Sequence, residues 1–199
     1  MKWKIYLPQR ENNMITKRIF IDTETTSEDQ KRAGVFQIAG IIEYEKICEQ
    51  FDFHCNIFDG DLVEDSAFKT NEMSIEKIMK FPDPVSVFQQ FIGLLSKHVD
   101  RYNKNDKFTA IGYFSEFDAQ ILRNWFKKNR DDFFGSYFWH PWIDVAQLAA
   151  YVYQEDRDIF PNFRLGTIAY AMALVNDKED KILHNALIDA KITQQMSGD

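Results

Sequence analysis

The sequence predicts one α/β domain, a mixed sheet of about five strands with helices on both faces. Three observations predict it. Runs patterned as strands come first, at 17–23, 34–44 and 47–58, near enough in sequence to pair as a meander. From Pro82 onward, apolar residues at helical spacing alternate with two short apolar runs, at 108–111 and 142–143. A chain of 199 residues that is 45% hydrophobic and 15% aromatic can bury one sizeable core.

Residues 1–16 are mixed and polar and read as a leading arm or edge strand before a single domain over 17–199. Ile19-Phe20-Ile21 reads as a buried strand, and the charged residues 27–33 read as a loop. Gly34–Tyr44, rich in Val, Phe and Ile, is the second strand. In the third, Ile47–Phe58, Phe51, Phe53, Cys55 and Ile57 alternate with polar residues. A turn at Glu43–Lys46 makes these two a hairpin, closed by Asp59-Gly60-Asp61. Residues 61–83 are irregular, with a short helix at Ser74–Met79.

Pro82 and Pro84 start a helix whose Val85, Phe88, Ile92, Leu95 and Val99 form one buried face. A polar loop, 100–107, leads to a strand at Phe108–Ile111. Ser115 opens the next helix, with Phe117, Ile121, Leu122 and Trp125 as its apolar stripe and Lys127, Lys128 and Arg130 at its negative end. An aromatic loop, Asp131–His140, precedes the short strand Trp142-Ile143. Asp144 caps a helix through Tyr153, and Gln154–Asn162 is a charged loop. Leu165, Ile168, Ala169, Met172 and Val175 mark another helix. Residues 176–181 are a solvated loop, and a final helix runs from about Asn185 to Met196.

Composition narrows the function. No stretch is long and apolar enough for a membrane span, and the first residues are too polar for a signal peptide. Two cysteines, Cys48 and Cys55, lie an odd seven residues apart and read as free thiols of a reducing compartment, which places the chain in the cytoplasm. A metal site of Cys48, His54 and Cys55 matches no familiar ligand spacing. The formal net charge of −7 argues against a tight, sequence-independent grip on nucleic acid. It permits an enzyme that holds a few nucleotides, since bound metal ions reverse the sign locally.

The chemistry sits in carboxylates. Asp22 and Glu24, two positions apart on a strand, share one face. Charges that close raise one another's pKa unless a cation intervenes, and hard ions such as Mg²⁺ take oxygen ligands. Asp118 lies one turn into a helix, where Ser115-x-x-Asp118 also reads as a capping box. Asp189 follows His184 by five residues and lies among Leu187, Ile188 and Ile192. On one helix a separation of five turns side chains about 140° apart, so His184 and Asp189 converge only if His184 precedes the helix.

In order and spacing these segments resemble the DEDDh exonucleases, the DnaQ-like family of the ribonuclease H superfamily. Ile21-Asp22-Thr23-Glu24-Thr25-Thr26 is similar to the first exonuclease motif, Gly112-Tyr113-x-Ser115-Glu116-Phe117-Asp118 to the second, and His184-x-Ala186-x-x-Asp189 to the third. Phe36-Gln37-Ile38-Ala39, the Pro82–Pro84 entry, Trp142-Ile143-Asp144 and Leu165 fit the same layout, and the resemblance covers about 17–196. The chain departs from the family at Ser27, where Gly is frequent and a bulky wedge follows, and at Phe114, where Asn is common.

The resemblance implies a ribonuclease H-like fold and a 3′→5′ exonuclease that releases nucleoside 5′-monophosphates from single-stranded DNA. It implies two Mg²⁺ or Mn²⁺ ions, held by Asp22, Glu24, Asp118 and Asp189, that clamp the scissile phosphate. His184 would be the general base. Thr23, Thr25, Phe36, Tyr113 and Phe114 are the expected nucleic-acid contacts, the aromatics by stacking. Exonuclease action on short RNA is a second reading, and a non-catalytic binding module on the same fold a third. The family's partner class is a polymerase or another nucleic-acid enzyme, although the chain ends soon after the third motif.

Overall fold

The structure, a computed structural model, describes residues 15–68, 73–177 and 183–198. Of the expected N-terminal arm, residues 1–14 lie outside the described residues, as do 178–181 of the expected solvated loop. Five strands form one sheet: β1 (Lys17–Thr25), β2 (Val35–Tyr44), β3 (Ile47–His54), β4 (Phe108–Gly112) and β5 (Ile143–Asp144), in the order β3-β2-β1-β4-β5. The pairs β1–β2 and β2–β3 are antiparallel, whereas β1–β4 and β4–β5 are parallel. The helices are α1 (Asp65–Phe68), α2 (Ile75–Ile78), α3 (Pro84–His98), α4 (Ser115–Lys128), α5 (Phe134–Tyr137), α6 (Val145–Val152), α7 (Leu165–Ala171) and α8 (Ala186–Met196). No described helix is long and apolar enough to cross a membrane.

Alternation along β1 sorts the two cores. Ile19 and Ile21 point into the larger one, with Phe88, Phe91 and Leu95 of α3 and Ile121, Trp125 and Phe126 of α4. Phe20 points the other way, into a smaller cluster with Ile111, Val145, Ala146 and Ile168. The larger core is an aromatic lattice: Phe88 meets Trp125 and Phe126 edge-on at centroid distances of 5.0 Å each. Each fully buried side chain of this size contributes about 1.5–3 kcal/mol, with a further ~0.5–1.5 kcal/mol for a well-oriented ring pair.

Two glycines let elements approach. A Cβ at Gly40 would lie 2.1 Å from the Phe20 carbonyl oxygen, so only glycine fits between β1 and the Phe51 ring. A Cβ at Gly112 would meet the Ile21 carbonyl at 3.3 Å and Ser115 at 3.2 Å, which makes the turn from β4 into α4 tight.

Several elements differ from the sequence pattern. Short helices α1 and α5 form in segments read as irregular or loop. The third strand ends at His54 rather than Phe58, because Asn56 N–H leaves the ladder and donates to the Pro82 carbonyl at 2.8 Å. The helix expected through Val175 ends at Ala171, where Ala173 is left-handed (φ 57°) and Leu174 N–H reaches back to the Ala169 carbonyl at 2.9 Å. That is a Schellman stop without the usual glycine to announce it. The charged segment Gln154–Ile159 forms 3₁₀ turns instead of an open loop.

Candidate active site

Alternation in β1 places Asp22 and Glu24 on the face covered by α8, and Thr23 on the face of α3 and α4. α8 crosses that first face over β1 and β2. The Asn185 side chain caps it, accepting from Ile188 N–H at 3.3 Å, and Asp189 lies in its first turn. The consequence is a trio drawn from both ends of the sequence. One ligand oxygen each from Asp22, Glu24 and Asp189 lie within 4.8 Å of one another.

Asp189 is 8% exposed. Its Oδ2 accepts the His184 backbone N–H at 3.2 Å, while Oδ1 is buried and has no hydrogen-bond partner among the described residues. His184 precedes α8, in a left-handed conformation (φ 66°), with its ring exposed.

Asp118 stands beside the trio on the other side of β1. It is 3% exposed, and its Oδ1 accepts both the Thr23 N–H (3.0 Å) and the Thr23 hydroxyl (2.7 Å). The capping-box reading is therefore corrected. α4 begins after a left-handed Phe114 with no side-chain cap, and Asp118 serves a residue 95 positions away. Thr23 lies between the two acids of its own strand and ties the fourth acid to them.

Burial and like charge act together here. Loss of hydration, then the charges of Asp118, Asp189 and Glu24, hold Asp22 well above the usual carboxylate range. Desolvation pushes Asp189 up to about 8, with Glu24 adding to it and the His184 N–H opposing it. Desolvation also raises Asp118, to about 7, against the pull of the two Thr23 hydrogen bonds. Partial burial, with Arg164 nearby, lowers the pKa of His184 from its ordinary 6.5. The acids crowd one another, and Asp189 keeps one buried oxygen with no partner among the described residues. Oxygen-only donors and an unpartnered buried Oδ1 suit hard divalent cations. The thiols belong elsewhere: Cys48 is exposed, and Cys55 is buried with its Sγ donating to the Val35 carbonyl at 3.2 Å.

The expected nucleic-acid contacts divide sharply. Phe36 is 1% exposed and packs toward Phe68, so it is core and not a stacking surface. Tyr113 is 7% exposed and its hydroxyl donates to the Phe163 carbonyl at 2.8 Å. Thr23 spends both its donors on Asp118, and the Thr25 hydroxyl donates to the Ser27 carbonyl at 2.9 Å. Phe114 alone of the five offers an open face, 51% exposed and braced edge-on by Tyr113 at 5.1 Å.

Sequence reasoning missed the supports of this site. Asp144 was expected only to cap α6, through Ala146 N–H at 2.9 Å, yet the same Oδ1 accepts the Phe114 N–H at 3.2 Å and fixes that strained residue. Ser27 donates to Glu64 at 2.5 Å, and the Thr26 hydroxyl donates to the Leu62 carbonyl at 2.6 Å, so the loop after β1 is pinned. The only signal in the sequence was the cluster of small hydroxyl residues at 23–27.

The sequence model of the RNase_T family, described as exonuclease, matches residues 19–196. No curated protein sequence matches the chain. Among solved structures, exonuclease I in a study of its processivity superposes with a TM-score of 0.72 at 20% identity, over 92% of this chain and 40% of that one. E. coli exonuclease I bound to a dA16 oligonucleotide gives 0.70 at 20% identity, again over 92% and 40% of the two chains. The zinc-bound E. coli complex with single-stranded DNA gives the same figures, 0.70, 20%, 92% and 40%. The chain thus spans about two fifths of the length of these structures, and at this identity they share its fold.

Proposed function

Because the chain belongs to the RNase_T exonuclease family, we propose that it hydrolyses single-stranded DNA from the 3′ end and releases nucleoside 5′-monophosphates. The observation that carries the proposal is the trio Asp22, Glu24 and Asp189, converging within 4.8 Å from β1 and α8. These three would hold divalent cations, Mg²⁺ or Mn²⁺, with Asp118 assisting from across β1. When bound, such ions supply charge neutralisation at a scissile phosphate and an activated water.

The protein's own groups do the rest. Thr23 fixes Asp118, and the His184 backbone N–H holds Asp189. His184, exposed at the rim with a lowered pKa, is neutral near pH 7 and accepts the proton of the attacking water. Phe114 stacks against a base near the 3′ end, its backbone held by Asp144. DNA is favoured over RNA because the similar solved structures carry DNA oligonucleotides. The two free cysteines fit action in the cytoplasm.

The test uses 5′-labelled linear single strands of DNA and RNA, duplex DNA and circular single-stranded DNA, with Mg²⁺, Mn²⁺ or chelator. A ladder shortening from the 3′ end of linear DNA, abolished by chelator, is expected. Cutting of the circle at a comparable rate would remove the exonuclease reading, and faster loss of RNA would change the substrate.

A further inference from the structure

We propose that Gln37 is a positioning residue: it holds the first turn of α8, and so Asp189, against the two acids of β1. The proposal rests on the reading of Asp22, Glu24 and Asp189 as the cation site.

Gln37 is 2% exposed, within a stretch of β2 that is buried from Val35 to Ile42. A buried primary amide needs partners for both its ends. It lies directly opposite Glu24 in the β1–β2 register and opposite His54 in the β2–β3 register, so all three side chains share the face that α8 covers. Its Nε2 donates to Asp52 Oδ1 at 2.9 Å, and its Oε1 accepts the Ala186 N–H at 3.4 Å. Ala186 is the first residue of α8, three positions before Asp189.

The first N–H groups of a helix have no partner within it. In α8 the Asn185 side chain takes the one at Ile188, and Gln37 takes the one at Ala186. Just before the helix, His184 N–H goes to Asp189 itself. The helix start is therefore pinned to the sheet at Gln37, beside the strand position that carries Glu24.

The chemistry of both ends selects glutamine. An ionised Asp52 only accepts, so the amide NH₂ must face it and the carbonyl must face α8. Glutamate here would still accept from Ala186, but would oppose Asp52 and add a charge beside Glu24. Methionine would fill the space and offer α8 nothing.

Three variants test this: Gln37→Met, Gln37→Glu, and the exchange Gln37→Glu with Asp52→Asn. The exchange keeps the net charge and restores one donor facing one acceptor. Mn²⁺ affinity is measured by titration, and amide hydrogen exchange is followed along α8 and β1. Gln37→Met should weaken Mn²⁺ binding about tenfold, the lower end for a group that orients a ligand. It should speed exchange at Ala186 and Asp189 while leaving the Thr23 amide unchanged, and lower kcat without raising KM for DNA. Gln37→Glu should be worse, and the exchanged pair should recover most of the Mn²⁺ affinity, which mere packing at position 37 would not produce. Parent-like exchange at Ala186 in Gln37→Met would overturn the proposal, as would an exchanged pair no better than Gln37→Glu alone. Should Asp22→Asn leave Mn²⁺ affinity intact, the cation-site reading fails instead, and exchange at Ala186 still reports on Gln37.

Discussion

α4 and α8 each carry one acid to the end of the same strand, and they hold it in opposite ways. Asp118 on α4 is the more buried of the two, yet one of its oxygens receives two donors from Thr23. Asp189 on α8 receives one backbone donor, and its second oxygen is buried without a partner among the described residues. α4 is sewn into the large aromatic core through Ile121, Leu122, Trp125 and Phe126. α8 contributes Ile192 to a much smaller cluster with Ala169, Val175 and Leu183. The difference teaches that donors rather than burial decide how complete an acidic position is. The α4 side is finished by the protein, and the α8 side leaves a buried oxygen without a partner among the described residues.

The sharpest way to break this contrast is to remove charge from each side. Asp22→Asn or Asp189→Asn should reduce turnover by at least about 10²-fold, the scale for losing one electrostatic stabiliser in a closed site. Above pH 8, where Asp189 has lost its proton, Asp189→Asn should also raise the melting temperature of the metal-free protein, because it deletes an uncompensated buried charge. Asp118→Asn should raise it less, since Thr23 already serves that carboxylate. Equal shifts from the two substitutions in a thermal melt with chelator would erase the distinction.

Next in size is His184→Ala. Loss of one positioned proton acceptor should lower kcat by roughly 10²–10⁴-fold, with Mn²⁺ affinity kept, since His184 donates to Asp189 through its backbone N–H, which alanine retains. A base works when deprotonated, so the parent's rate should rise with pH. With its pKa lowered, that rise should fall below pH 6.5 and vanish in the variant. A variant that keeps the parent's profile removes the imidazole from the reaction.

A third test sharpens the electrostatics. Asp22, Asp118 and Asp189 all have folded pKa values above the ordinary 3.8, so between about pH 4 and pH 8 the folded chain binds more protons than the unfolded one. Their contribution is fully present below pH 4 and is lost as pH rises through the folded values. The metal-free melting temperature should therefore fall from pH 5 to pH 8, and Mn²⁺ should restore most at the alkaline end. A flat chelated profile would mean that the acids are not strained.

The smallest expected effect is that of Thr23→Val, which removes a hydroxyl donor to a carboxylate. It should cost about 1.5–3 kcal/mol in denaturant melts, while Thr23→Ser should cost much less.

Most of the fold was legible because its patterns are local: alternation in β1 and β3, the 3.6-residue stripes of α3 and α4, the cap at Asp144. The acids were legible because their spacing within each motif is local too. What joins the motifs was not. Ser115-x-x-Asp118 satisfies a local capping rule, and nothing nearby in sequence says that Thr23 will win its carboxylate. Phe36, Tyr113 and Phe114 are all aromatic residues beside motifs, and only packing separates the one exposed ring from the two buried ones. The end of α7 at a left-handed Ala173 carried no glycine to mark it.

Both acid-bearing helices are entered through a residue other than glycine at positive φ, Phe114 before α4 and His184 before α8. Such a conformation costs an ordinary residue about 1–2 kcal/mol, and glycine escapes it at an entropic cost of about 0.5–1 kcal/mol. At 184 the lost ring is exposed, so little packing opposes the exchange. A directed-evolution campaign that selected only for heat resistance would thus tend to place glycine there, enriching hardier proteins that no longer carry the imidazole at 184.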